Sequence, residues 1–308
     1  MTSDSCVFIY TFLFGRAECF SPGGANRPSV GFLMRFARQW VAGETQEDAL
    51  RAAHQANARG IDAIINHLGE HHEAKALVDG TLNEYASLLR RMRETQVRGT
   101  ISVKPTQFGL LIGREYALSR LLVLLDVVRA DGRDFWLDME SARTTTDTIW
   151  VYDRLLARYD QAGLCLQANL RRTESDLKSL LDEGARIRLT KGAYRETPEV
   201  AFATRTEVDR QFLRHLETLF REGRNFAVAS HDGRMIQRAL ELGASTKTPF
   251  EFQMLQGVRD PLKDELVRGG HRVLEYIPYG AAWLPYFTRR LQERPRNVVT
   301  MMRSFVTG

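Results

Sequence analysis

A chain of 308 residues, 44% hydrophobic and 26% charged, has the make-up of a soluble globular protein, not of a disordered or disulfide-built one. It holds one (β/α)8 barrel of ~250 residues or two smaller domains. A net charge of +5, with a pI of about 9.2, suits an anionic ligand or surface; it is too mild to imply nucleic acid, and no nucleic-acid motif is present.

The three cysteines, Cys6, Cys19 and Cys165, lack metal-ligand spacing, and an odd, sparse count fits a reducing compartment. Val7 to Phe14 is apolar but short and follows Asp4 without a basic flank, so it reads neither as a signal peptide nor as a membrane span. Residues 1–59 read as a helical lead-in packing on a barrel of residues 60–308. Ser21 to Pro28 is a Pro/Gly-rich break in it. Glu44 to Arg59 then reads as a helix with Ala49, Ala52, Ala53 and Ala56 on one face.

From here short apolar runs ending in polar residues alternate with stretches long enough for helices. The runs are Ile61 to Glu70, Thr100 to Thr106, Phe135 to Glu140, Leu164 to Asn169, Ile187 to Tyr194, Phe226 to His231, Phe250 to Leu255 and Val273 to Tyr279. The intervening helices are predicted over Leu82 to Arg93, Tyr116 to Arg129, Thr146 to Tyr159, Thr173 to Glu183, Val208 to Glu222, Arg234 to Leu242 and Pro261 to Arg268. Thr173 and Asp176 have the look of a capping pair. Alternating strands and helices imply parallel pairing. Eight such units without a Gly-x-Gly-x-x-Gly turn favour a closed barrel over an open nucleotide-binding sheet.

In a parallel barrel the C-terminal strand ends line the active site. Here they deliver Glu70; Lys104 and Gln107; Asp138 and Glu140; Gln167 and Asn169; Arg188, Lys191 and Tyr194; His231 and Asp232; Glu251 and Gln253; Tyr276 and Tyr279. Arg188 and Lys191, with Gly192 following, suit a phosphate or pyrophosphate, or are surface bases balanced by Glu196. Lys104 is either a Schiff-base nucleophile or a plain positive charge. Asp138 and Glu140, two apart on a strand, share a face as an acid/base pair, metal ligands or counter-ions. Asn66 to Glu73 is rich in His and Glu but lacks the His-Glu-x-x-His order, and reads as a strand end followed by a solvated polar loop.

The chain then offers Tyr276 to Glu293. Pro278 and Gly280 are expected to stop the last strand. Tyr286, Arg289, Arg290 and Glu293 fall at i, i+3, i+4 and i+7 on one helical face. Two arginines there make a carboxylate clamp, since guanidinium forks bind carboxylates in a bidentate way. The plainer alternative is a solvated face with an Arg289–Glu293 pair.

Taken together, the segments resemble the proline dehydrogenases, of the short monofunctional bacterial kind, from about Val41 to the C-terminus. The motifs are Val41 to Thr45, Leu68 to Glu70, Ser102 to Gly109, Leu137 to Glu140, Leu166 to Ala168, Arg188 to Glu196, Ser230 to Asp232, Phe250 to Gln253, and Tyr276 to Gly280 with Tyr286, Arg289, Arg290 and Glu293. The resemblance implies a distorted (βα)8 TIM barrel that binds FAD non-covalently and oxidises L-proline to Δ1-pyrroline-5-carboxylate. It implies that Lys104, Arg289 and Arg290 hold the substrate carboxylate, Asp138 orients the lysine, Tyr276 and Tyr286 wall the ring, and Tyr194 closes the site. It assigns Met139, Gln167, Arg188, Lys191, Gly192, Ala193, Ser230 and His231 to FAD, and no metal. It also implies a membrane quinone as acceptor, a separate pyrroline-5-carboxylate dehydrogenase downstream, and a cytoplasmic place, peripheral to the inner membrane face.

Departures from the pattern are Pro105 for Leu, which is expected to remove a backbone donor within the strand, Ser230 for Thr, Asn169 and Arg171 for aromatics, Leu274 for Arg, and Glu275 for a small or apolar residue. The competing readings are a barrel hydrolase or aldolase using Asp138, His231 and a metal or Lys191, and a non-catalytic flavin- or amino-acid-binding relative.

Overall fold

The structure is a computed structural model that describes residues 37–293. Expectations for Cys6, Cys19, Val7 to Phe14 and Ser21 to Pro28 lie outside the described residues, as do those for the side chains of Arg289 and Glu293.

Residues 40–281 form one unit, a closed barrel of eight parallel strands in sequential order. The strands are β1 (Asp62–His67), β2 (Gly99–Val103), β3 (Phe135–Leu137), β4 (Ala162–Gln167), β5 (Arg186–Thr190), β6 (Phe226–Val228), β7 (Phe250–Leu255) and β8 (Val273–Tyr279). Closure is made by β1 on β8, in register from Asp62 against Leu274 to His67 against Tyr279.

A lead-in helix α1 (Gln46–Ala58) packs on β1 and β8 through Ala49, Leu50, Ala53 and Ala56. Between the strands run α2 (Lys75–Glu94), α3 (Arg114–Ala130), α4 (Ala142–Leu156), α5 (Thr173–Asp182), α6 (Arg205–Glu222), α7 (Gly233–Thr246) and α8 (Asp260–Arg268). The apolar core lies between strands and helices, with Ile65, Leu88, Ile101, Val103, Leu121, Leu137, Leu164 and Leu189 among its buried members. Helix starts are fixed by reciprocal capping boxes at Thr45 with Asp48 and at Thr204 with Glu207.

Three expectations are corrected. Thr173 and Asp176 do not cap α5: Thr173 Oγ1 donates to the Gln167 carbonyl at 2.6 Å, and Asp176 pairs with Arg172 at 2.7 Å. Pro278 does not stop β8 but lies inside it opposite Asn66, with its carbonyl accepting the Ala42 N–H at 2.9 Å. Pro105 removes no ladder donor, because β2 ends at Val103 and Pro105 opens a 3-10 turn (Pro105–Phe108), where a missing N–H costs nothing.

Several strands are shorter than their sequence runs. β3 stops at Leu137 and β6 at Val228, although the next amides, of Asp138 and Ala229, still donate to the Val103 and Leu189 carbonyls of the neighbouring strands, both at 2.9 Å.

The described residues 37–39 and 282–293 belong to a second unit. It carries α9 (Trp283–Glu293), the helix predicted for the clamp segment. Within α9 the rings of Trp283 and Phe287 meet edge to face at 5.9 Å. The Arg290 guanidinium lies 5.4 Å from the Tyr286 ring centre, as i,i+4 spacing requires.

Candidate active site

The residue that organises the barrel mouth is Asp138, just past β3. Its Oδ1 accepts from Ser102 Oγ and from Arg188 Nη1, both at 2.7 Å, and its Oδ2 accepts from Tyr276 OH at 2.7 Å. Lys104 Nζ stands 3.6 Å from Oδ2. Four strand ends, those of β2, β3, β5 and β8, thus converge on one buried carboxylate. Burial works to raise its pKa, but Lys104 and Arg188, with the Ser102 and Tyr276 hydrogen bonds, outweigh it and hold the group below the usual range. Tyr276, buried and facing that anion, is pushed well above the ordinary phenol value and stays a hydrogen-bond donor.

Arg188 is fixed on several sides. Its Nε bonds to Gln253 Oε1, its Nη1 also donates to Ser102 at 3.0 Å, and its guanidinium lies 4.5 Å from the Trp136 ring centre. Its buried Nη2 has no hydrogen-bond partner in the structure. The Arg186 guanidinium lies 4.8 Å from the same ring. The indole fits only because position 163 is glycine: a Cβ there would lie 2.4 Å from Trp136.

Lys104 is held as a cation. Burial opposes its charge, but Asp138, Tyr194, Glu140 and Glu70 more than compensate and raise its pKa. Glu70 Oε1 lies 3.8 Å from Nζ, and the Tyr194 hydroxyl reaches the same oxygen at 3.5 Å. An ammonium so stabilised is not the free amine that Schiff-base chemistry needs.

A second group lies at the ends of β4 to β6. Gln167 Nε2 donates to the Glu140 carbonyl at 2.7 Å, and its Oε1 accepts from Ala193 N at 3.4 Å. Gly192 has φ +107°, and a Cβ there would strike the Asn169 amide, so only glycine serves. Lys191 bridges Asp209 on α6 and Asp232, the latter at 2.7 Å. Ser230 Oγ accepts the Asp232 N–H at 3.1 Å. His231 Nε2 accepts the Leu255 N–H at 2.8 Å, which places its ring proton on Nδ1. Met139, between Asp138 and Glu140 in sequence, is buried.

The alternative counter-ion for the basic pair is ruled out: Glu196 instead accepts the Ala142 N–H at 2.7 Å. The stretch Asn66 to Glu73 is a strand end followed by a polar loop, as expected. Buried Asn66 ends β1 with His67 and donates to the Ser102 carbonyl, while His71 and Glu73 in the loop are exposed.

Lys104, Asp138, Arg188, Tyr276 and Tyr194 therefore form one connected set. Gln167, Gly192 and Ala193 form another, with Lys191 and Ser230 joined through Asp232. Tyr286 and Arg290 lie on α9, and Arg289 on that helix has no described side chain. Sequence reading gave Ser102, Thr106 and Trp136 no assigned part here. The signal for Ser102 was its place two residues before Lys104, on the same strand face. The bulky Trp136 opposite Gly163 in the register left no mark in one sequence.

A sequence model of the family described as proline dehydrogenase matches residues 49–303. The chain belongs to the proline dehydrogenase family. Proline dehydrogenase 1 of Bacillus subtilis (strain 168) is 32% identical over 273 residues, 88% of this chain and 90% of that one. The proline dehydrogenase of Deinococcus radiodurans is 30% identical over 297 residues, 92% and 96% of the two chains. Among solved structures, proline utilization A from Bdellovibrio bacteriovorus, inactivated by N-propargylglycine, superposes with a TM-score of 0.78 at 24% identity. That likeness covers 85% of this chain and 33% of the other, so this chain spans about a third of the solved protein, and the two share the (βα)8 fold. The Corynebacterium freiburgense protein of the same name gives a TM-score of 0.73 at 23% identity over 87% of this chain and 32% of its own.

Proposed function

We propose that this chain, an enzyme of the proline dehydrogenase family, oxidises L-proline to Δ1-pyrroline-5-carboxylate with FAD bound at the C-terminal strand ends, and that a quinone takes the electrons. The observation that carries this reading is the buried set around Asp138, two cations on one carboxylate with Tyr276 as a third partner. The residues present fit a flavin. A buried guanidinium N–H of Arg188 lacks a partner, and Gly192 keeps the backbone bare beside Gln167 and Ala193. Met139, Gln167, Arg188, Lys191, Gly192, Ala193, Ser230 and His231 would hold the cofactor. When bound, FAD supplies the two-electron acceptor for the hydride leaving proline C5.

The chain's own residues bind, orient and shield. Lys104, held as an ammonium, takes the proline carboxylate together with Arg289 and Arg290. Asp138 stays an anion and fixes Lys104 and Tyr276, so that the ring meets a preset wall; Tyr286 is assigned a part in walling the same ring. Tyr194, tethered to Glu70, closes the mouth. The pre-placed charges orient the substrate without reorganisation at the moment of transfer. The product imine would pass to a separate pyrroline-5-carboxylate dehydrogenase. We assign a cytoplasmic place with contact to the membrane through the quinone; among the described residues no helix is long and apolar enough to cross a membrane. Residues 1–59 would be the barrel's lead-in and 60–308 the catalytic barrel.

The test is anaerobic titration of the purified protein with L-proline while flavin absorbance is followed. Bleaching of a bound flavin is expected. A colourless protein would refute the cofactor, and a yellow one that proline leaves oxidised would refute the reaction.

A further inference from the structure

Glu140 is 1% exposed, yet no cation bonds to it. Its carboxylate is taken up by one residue. Oε2 accepts the Thr106 N–H at 2.9 Å, and Oε1 accepts the Thr106 hydroxyl at 2.7 Å. A buried carboxylate without a directly bonded cation is costly: burial raises its pKa, although the Lys104 charge and the two Thr106 bonds work to lower it. Such an expensive contact points to a geometric task.

The bonds around the pair show what the task is. Thr106 N belongs to the first turn of the 3-10 segment that Lys104 caps, where amides have no partner within the turn; Glu140 supplies one. The Thr106 hydroxyl accepts the His71 N–H, and its carbonyl accepts the His72 N–H, both at 3.0 Å. These amides directly follow Glu70. On the other side, the Glu140 carbonyl accepts Gln167 Nε2 at 2.7 Å. One pair of side chains therefore ties together the loop after β1 carrying Glu70, the turn after β2 carrying Lys104, the segment after β3 carrying Asp138, and the end of β4.

We propose that Thr106 and Glu140 act as a positioning pair that sets Lys104 Nζ between Asp138 and Glu70, and so governs carboxylate affinity. The proposal rests on the reading of Lys104 as the substrate-carboxylate ligand. A metal role for the same place is disfavoured. Ligand atoms of Glu70, His71 and Glu140 lie within 4.8 Å of one another, but both Glu140 oxygens are bonded by Thr106 and the Lys104 ammonium stands 3.8 Å from Glu70.

The experiment uses the flavin-loaded full chain with Thr106→Val, Thr106→Ser and Glu140→Gln. Steady-state constants for L-proline and the rate of Lys104 acetylation, located by peptide mass spectrometry, are both measured. Thr106→Val and Glu140→Gln should raise KM by about tenfold with kcat reduced less than about threefold, the pattern of lost uniform binding. Both should also change the Lys104 acetylation rate by several-fold. Thr106→Ser, which keeps both bonds, should restore both readouts. Wild-type KM and wild-type acetylation in Thr106→Val would overturn the proposal. So would a Thr106→Ser that behaves like Thr106→Val. If Thr106→Val does not fold, Glu140→Gln and Thr106→Ser decide by the same criteria. If proline reduces no flavin in the wild type, the proposed reaction fails while acetylation still reads the positioning.

Discussion

Replacing Asp138 by asparagine keeps the shape of the site and removes its central charge. Lys104 Nζ lies 3.6 Å from Asp138 Oδ2, and in a partly polarisable interior with an effective dielectric near 20 that pair is worth about 4–5 kcal/mol. At 1.36 kcal/mol per tenfold, losing it weakens the lysine's hold on its proton by roughly a thousandfold, somewhat less because Glu70 remains at 3.8 Å. The free amine is the reactive form, so acetylation of Lys104 at pH 9 should run about a hundred to a thousand times faster in Asp138→Asn than in the wild type. Peptide mass spectrometry after timed exposure measures it site by site. Tyr276→Phe is the control: it removes a 2.7 Å hydrogen bond from Asp138 but leaves the charge, and should raise the rate far less. Equal rates in the wild type and Asp138→Asn would show that Lys104 does not depend on Asp138 for its charge. In that case the electrostatic account of the site fails.

Gly163→Ala places a methyl 2.4 Å from the Trp136 ring and should cost about 1–3 kcal/mol, read as a lower denaturation midpoint; an unchanged midpoint would mean the ring has room to move. Burial works to raise the Asp232 carboxyl, but the Lys191 hydrogen bond, the Arg234 N–H and their charges carry it down from 3.8 to about 2. A lowered folded value contributes stability that is present above the unfolded value and lost as pH falls through the folded one. Asp232→Asn should therefore melt at a lower temperature than the wild type at pH 7, with the gap closing as pH falls from about 4 to 2; a gap independent of pH would refute the assignment. Arg290→Lys should raise KM for proline by about 10- to 100-fold through loss of a bidentate hydrogen bond, with flavin content less affected; a normal KM would remove it from the clamp.

Much of the barrel is legible in the sequence because two periods do not interfere. β7 and β8 run over the residues expected, since each is an apolar run with polar or glycine residues at both ends. The other strands were read long at one or both ends. Polar strand-end residues such as Glu140 continue the alternation in sequence but have left the ladder. Lys104, Asp138 and Tyr276 were legible because strand ends converge in a closed parallel barrel. What stayed hidden is long-range pairing. Ser102 meets Arg188 across 86 positions, and Asp209, which takes up Lys191, sits on a helix that no strand-end rule examines. The Thr106–Glu140 bond was hidden because Pro105 was read as part of a strand, not as the start of a turn.

Trp136, with Arg186 and Arg188 both against its ring, gives the protein a spectroscopic probe of its own. The indole is fully buried and its N–H has no hydrogen-bond partner in the structure, so its emission should lie to the blue of an exposed tryptophan. It sits against Arg188, which joins it to the carboxylate at the mouth, and indole emission overlaps flavin absorption. Energy transfer would dim this one fluorophore as the site fills. With Trp40, Trp150 and Trp283 replaced by phenylalanine, refolding and cofactor loading become two separate optical events, readable in a single cuvette without a label.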